Sequence, residues 1–194
     1  MEQGKLSRVT DMPELPAPGG KMVMERDFKP VRIALLTVSD SRNESSDTSG
    51  AILAARVEEA GHILAARTLV TDDKEVIAAT VQAWIDAPDV DVVISTGGTG
   101  LTGRDVTPEA LMPLFEKHIE GFAVVWHMVS YQSVGLSTLQ SRACAGVSNG
   151  TFIFCLPGSN GACRDGWDKV IRWQLDSRHA PCNMVELMPR LKER

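Results

Sequence analysis

The sequence predicts an α/β protein built on a mostly parallel but mixed sheet. Short apolar, β-branched runs such as Val90 to Ser95 end in glycine-rich loops and are too short for helices, which marks strands buried in a parallel sheet. Segments of helical spacing lie between them, so strand and helix alternate along the chain. Late in the chain, two apolar runs flank Asn149-Gly150, a dipeptide that favours a tight hairpin, so one strand must run against its neighbour.

Residues 1–30 mix Pro13, Pro16, Pro18, Gly19 and Gly20 with scattered charges and no periodicity, so a flexible tail is expected there, followed by a single domain over residues 31–194. The tail could instead cover a neighbouring subunit. Val31 to Val38, interrupted only by Arg32 and Thr37, is expected as a central strand. Ser39-Asp40-Ser41-Arg42 follows at its carboxyl end, where ligands sit in open α/β sheets, although an ordinary polar turn would read the same. Asp47 or Thr48 caps a helix that turns Ile52, Leu53 and Val57 inward, and Gly61 ends it. His62 to Val70 is a weaker strand because Ala65, Ala66 and Arg67 are poor β formers, which places it nearer an edge. His62 itself is expected to be structural or solvent-facing. Thr71-Asp72-Asp73 caps the helix Lys74 to Asp86, with Val76, Ile77, Val81, Trp84 and Ile85 at helical spacing, and capping alone would account for Asp72.

The run Val90 to Ser95 delivers the loop Thr96-Gly97-Gly98-Thr99-Gly100. Glycines admit positive φ and close approach, so consecutive backbone N–H groups can converge on a phosphate or carboxylate while the threonine hydroxyls add donors. Thr107 is expected as an N-cap with Pro108 as the first helical residue, directing a helix N-terminus back at the loop and carrying Leu111, Leu114 and Phe115 inward. Asp105 is then an acid in an anion-seeking site, and a bound magnesium ion would reconcile the two. The competing explanation is a tight strand-to-helix turn without a ligand. Gly121 to Tyr131 reads as a helix with the apolar stripe Phe122, Val125, Trp126 and Val129, beside which His127 is a surface or interface group. After the hydroxyl-rich hinge Gly135 to Ser141 comes Arg142, whose guanidinium suits bidentate phosphate binding if the segment is more than an exposed turn. Ala143 to Val147 and Thr151 to Leu156 form the hairpin. Leu156-Pro157-Gly158-Ser159-Asn160 then turns into a helix expected at Cys163 to Leu175, with Ser159 either a cap or a phosphate contact. Residues Arg178 to Asn183 and the short end wrap over the body.

A net charge of −5 argues against nucleic acid as the main partner and against anionic lipid. No apolar stretch approaches the roughly 20 residues of a membrane span, and the start of the chain lacks a charged-then-apolar pattern, so a cytoplasmic location is expected. Cys144, Cys155, Cys163 and Cys182 form no CxxC pair and read as reduced thiols. The sequence contains no GxxxxGK[ST] or HExxH, and although Gly98 to Gly103 spells GxGxxG, the strand before it comes third in the chain and not first, which weakens a nicotinamide reading. Phosphate and carboxylate chemistry is what remains.

The full string TGGTGLTGRDVTPEA, with LLTVSDSR, DTSG, STLQSRACAGV, FCLPGSNGACRDGW and QLDSRHAPCN, resembles the MoaB/Mog family of molybdenum-cofactor biosynthesis proteins, and its ending is closer to the MoaB branch. The resemblance runs from residue 31 to residue 183. It implies a MogA-like three-layer α/β/α sandwich with a mostly parallel mixed sheet. It implies a magnesium-dependent transfer of the adenylyl group of ATP to the terminal phosphate of molybdopterin, with release of pyrophosphate. In that scheme Gly97, Gly98, Thr99 and Gly100 hold phosphate, Asp72 and Asp105 place the magnesium, and Ser39 and Asp40 line the pocket. Ser141, Arg142 and Ser159 face the pterin phosphate, with Thr107 and Gly158 among the binding positions. The resemblance also implies a homo-oligomer, a trimer or a hexamer of two trimers. A non-catalytic pterin or nucleotide binder, or a scaffold of the same pathway, would use the same loop.

Overall fold

The computed structural model describes residues 19–193, so most of the tail expected at residues 1–30 lies outside the described residues. Within them, strand β1 (Lys21–Met22) pairs antiparallel with a late strand, β8 (His179–Ala180), which fastens the entering chain to the closing wrap. Both are two residues long, too short to show any periodicity, which is why neither is legible beforehand.

Strand β2 (Arg32–Val38) is buried along its length apart from its first residue. Arg32 is tolerated because its guanidinium forks onto Asp91, Nε at 2.9 Å and Nη2 at 2.6 Å from the two carboxylate oxygens. Helix α1 (Thr48–Glu59) is capped by Asp47, which accepts from the Gly50 N–H at 2.9 Å. That carboxylate is buried, and burial alone would raise its pKa. Hydrogen bonds from Arg67, the Gly50 N–H and the Thr37 hydroxyl nonetheless hold it below the ordinary value. A Cβ on Gly50 would strike the Asp47 carboxylate, so the pair is one unit. Gly61 ends α1 at φ +85°, as expected of a C′ glycine.

Strand β3 (Ile63–Val70) leads to α2 (Lys74–Asp86) and β4 (Val92–Thr96). The cap of α2 is Asp73, whose carboxylate accepts from Glu75 and Val76 N–H. Capping therefore does not account for Asp72. Beyond β4 the chain forms α3 (Thr107–Leu111), β5 (Lys117–His118) and α4 (Glu120–Val134), then a 3-10 segment at Gly135–Gln140. The expected stripe of α4 is narrower than predicted: Phe122, Trp126 and Val129 are buried, whereas Val125 is exposed. Strands β6 (Cys144–Ser148) and β7 (Thr151–Leu156) form the hairpin, with Asn149 at φ 45° and Gly150 at φ 83°. Helix α5 (Asn160–Gly166) begins three residues before the expected start and continues through a π-helical turn, Trp167–Ile171.

The main sheet runs β3-β2-β4-β7-β6-β5, parallel across its first four strands and antiparallel at β6 and β5. Alternate residues of the central strands feed two cores. Ile33, Leu35, Val92 and Ile94 pack with Leu53, Trp126 and Trp167 of α1, α4 and the π turn. On the other face Leu36 and Val93 pack with Ile77, Val81 and Leu111 of α2 and α3. The result is the three-layer α/β/α sandwich with a mixed sheet.

His62 belongs to the first core. It is buried, its Nδ1 lies 3.3 Å from the Val31 N–H, and its ring meets Trp167 edge-on at 6.1 Å. Burial pushes its pKa down to about 4, against a smaller opposing effect of Asp176. The folded protein thus holds it neutral, while the unfolded chain takes a proton near pH 6.5. The stabilisation is complete above that pH and is lost as the pH falls towards 4. Urea unfolding should show a contribution of about 2 kcal/mol disappearing between pH 7.5 and 5, at about 1.4 kcal/mol per pH unit. The same pair of titrations on His62→Gln should lack that component. An identical pH slope in the variant would mean that His62 does not carry it.

Candidate functional site

Parallel pairing brings three loops to one edge. Thr37 is in register with Thr96 and Thr96 with Leu156, so the segments after β2, β4 and β7 leave the sheet side by side. Above them lies a cavity of about 640 Å³, walled by these loops and by α4, the 3-10 segment and the start of α5. Of the residues expected at the site, Ser39, Asp72, Gly97, Gly98, Thr99, Gly100, Asp105, Ser141, Gly158 and Ser159 line it. Asp40, Thr107 and Arg142 do not.

The glycine loop is shaped from behind. Gly97 and Gly98 have φ of +105° and +62°, where a side chain is strained, and a Cβ on Gly97 would strike the Val38 carbonyl. A Cβ on Gly98 would strike the Thr107 hydroxyl and come within 3.0 Å of Asp72 Oδ1, so it collides with the loop's support. Thr107 is not the N-cap of α3, a position held by Val106. Its hydroxyl donates to Gly97 O at 2.9 Å and its N–H to Gly98 O at 3.0 Å. Arg142 likewise is not free for a phosphate. Its N–H donates to Thr99 O at 2.9 Å, Nε to Gly100 O at 2.7 Å, Nη2 to Asp105 O at 2.8 Å, and Nη1 to the Glu109 carboxylate. Four successive loop carbonyls are therefore occupied, so their lone pairs do not oppose an incoming anion. Both residues matter to the loop as positioning residues, which the bidentate-phosphate expectation for Arg142 missed.

Two of the acids form a pair and the third stands apart. Asp40 and Asp72 exchange backbone bonds, the Asp40 N–H donating to Asp72 Oδ2 at 2.9 Å and the Asp72 N–H to Asp40 Oδ1 at 3.0 Å. Asp40 also takes the Arg104 fork at 2.9 and 3.0 Å, which lowers its pKa. It stands behind Asp72, held by a cation, instead of lining the pocket. Asp72 faces the cavity with its pKa raised, first by burial and then by the charges of Asp40 and Asp105, which its bond from Asp40 and the Arg104 charge only partly offset. Asp105 accepts from Thr102 N–H at 2.8 Å and from its hydroxyl at 2.6 Å. Burial would raise its pKa, but those bonds, the Gly100 N–H and the charge of Arg142 keep it low and the group ionised.

Ser159 caps α5 by accepting from Ala162 N–H at 3.1 Å and still lines the cavity. Arg42 is the cation among the described lining residues. It donates to Gly158 O at 3.1 Å and to the Ser49 hydroxyl. Ser141 lines the wall while its hydroxyl accepts from Trp126 Nε1 at 3.1 Å. Sequence reasoning missed Ser130, Ser133 and Asp165. Their signal was faint: Ser130 and Ser133 share one face of a helix whose apolar stripe dominates the pattern.

Residues 34–177 match the family described as "Probable molybdopterin binding domain". The molybdenum cofactor biosynthesis protein B of Escherichia coli (strain K12) is 52% identical over 157 residues, spanning 81% of this chain and 92% of that protein. A Methanocaldococcus jannaschii protein named "Probable molybdopterin adenylyltransferase" is 38% identical over 148 residues, 73% of this chain and 88% of its own. A crystal structure of a molybdenum cofactor biosynthesis protein B superposes with a TM-score of 0.75 at 42% identity, covering 77% of this chain and 94% of that one. The chain belongs to the MoaB family of molybdenum cofactor biosynthesis proteins.

Proposed function

We propose that the chain transfers the adenylyl group of ATP to the terminal phosphate of molybdopterin and releases pyrophosphate. One observation carries this: Asp72 and Asp105 face the same cavity as a glycine loop whose carbonyls are tied back by Thr107 and Arg142. Nucleotidyl transfer needs alignment and charge neutralisation more than a covalent catalyst, so backbone donors and two carboxylates are a sufficient set. Magnesium fits them. Burial, and then the charges of Asp40 and Asp105, make ionisation of Asp72 costly, and a divalent cation relieves this. Asp72 and Asp105 would hold the ion, with phosphate oxygens supplying further ligands, and it would neutralise charge on the phosphates. The M. jannaschii relative's name supports the activity.

A binder without turnover is the second reading, favoured by the position of Arg142: the expected phosphate-clamping cation is engaged with Gly100, Asp105 and Glu109. Purified protein given ATP, magnesium and molybdopterin should release pyrophosphate stoichiometrically with adenylylated product. Affinity for both ligands with no pyrophosphate would establish the binder instead. The same proposal includes a homo-oligomer, a trimer or a hexamer, closed over exposed Val124, Val125 and Met128 of α4 with Leu136 and Leu139 beyond it. A monomer mass by light scattering at micromolar concentration would refute it. It also includes a cytoplasmic site of action, and no helix among the described residues is long and apolar enough to cross a membrane.

A further inference from the structure

The adenylyl-transfer geometry uses the loop side of the cavity and leaves its helical wall without a role. One feature there points to a ligand, Asp165 of α5, a carboxylate on a residue that lines the cavity. Ser133 Oγ donates to its Oδ2 at 2.6 Å, and Lys169 Nζ lies 2.7 Å from its Oδ1. These contacts fix its orientation and balance its charge, and each oxygen retains a lone pair for a further donor.

An ionised carboxylate offers two acceptors side by side and no donor, so it matches a ligand edge bearing two adjacent N–H groups. The pyrimidinone ring of a pterin has that edge, in its 2-amino group and N3–H. Adenine does not, because its 6-amino donor stands beside the N1 acceptor. We propose that Asp165 selects the pterin over the adenine ring by accepting from its 2-amino and N3–H groups. This rests on the pterin-binding part of the proposed function and assigns the helical wall to the pterin and the loop side to the phosphates.

The test titrates the full chain with 6-hydroxymethylpterin phosphate, with its lumazine counterpart, in which oxygen replaces the 2-amino group, and with ATP. The parent should prefer the pterin to the lumazine by on the order of 30-fold or more, since sites built on a hydrogen bond reject ligands that lack it. Asp165→Asn should lower pterin affinity by a similar factor, reduce the pterin-to-lumazine preference to about threefold or less, and leave ATP within about twofold. If Asp165→Asn folds poorly, Ser133→Ala removes the orienting donor without changing charge and should show the same ordering with a smaller loss. Pterin affinity within threefold of the parent in both the Asp165 and Ser133 variants, or equal losses for pterin and ATP, overturns the assignment of Asp165. A parent that binds no pterin phosphate at all overturns the functional proposal along with it.

Discussion

Asp105→Asn should slow adenylyl transfer by on the order of 10²- to 10³-fold, several kcal/mol of transition-state stabilisation, while the protein stays folded. The substitution keeps the shape of the side chain and removes its charge. An amide oxygen can still accept the Thr102 N–H that now meets Asp105 Oδ2 at 2.8 Å, so the turn at residues 102–105 keeps its main local bond. The Thr102 hydroxyl meets the same oxygen at 2.6 Å, so both bonds persist, and losing the charge on their acceptor should cost about 1 kcal/mol of stability. Removing the Asp105 charge also relieves its smaller share, after burial and Asp40, in raising the pKa of Asp72, which partly offsets this. Activity and stability therefore move by very different amounts. Single-turnover kinetics and urea unfolding on one preparation measure both. A variant that loses stability but transfers at the parent rate per folded molecule would reduce Asp105 to a turn residue and take the magnesium assignment with it.

The fold was legible where local pattern and tertiary role coincide. Strand β4 is buried on both faces and so reads as an unbroken apolar run, and Asn149-Gly150 announces its hairpin through positive φ at both positions. The two-residue strands β1, β5 and β8 carry no pattern of their own, since their pairing is decided by what the rest of the chain presents. The site divides in the same way. The glycine loop and Asp105 were identifiable because special backbone geometry and an acid beside it are written into adjacent positions. The roles of Thr107, Arg142 and Asp40 were not, because whether a side chain faces the cavity or supports the loop from behind depends on contacts made 10 to 64 positions away. Asp72 and Asp73 show how narrow the margin is. Either could cap α2 by sequence, and the backbone gives the cap to Asp73, which frees its neighbour for the pocket. The wall residue Asp165 had only a faint signal, since a lone acid in a helix is ordinary.

Gly161→Leu should abolish binding of ATP or molybdopterin, by at least about 100-fold, without destabilising the protein. Gly161 is the second residue of α5 and lines the cavity, and a Cβ built on it meets no atom within 4 Å. The longer side chain therefore has open space to grow into, and that space is the cavity itself. Replacing a helical glycine should stabilise the fold by about 0.5 to 1 kcal/mol, because the unfolded chain loses freedom and the helix gains a better former. This separates the question from Gly98, where any side chain strikes Thr107 and strains a φ of +62°, so that stability and binding would fall together and decide nothing. Gly161→Ala is the control: it should share the gain in stability and bind nearly as the parent, since one methyl group removes little of a cavity of about 640 Å³. Calorimetric titration and thermal melts of the three proteins give the comparison. If Gly161→Leu binds both ligands as tightly as the parent, the ligands lie elsewhere, and the convergence of the glycine loop, Asp72 and Asp105 on this cavity is structural only.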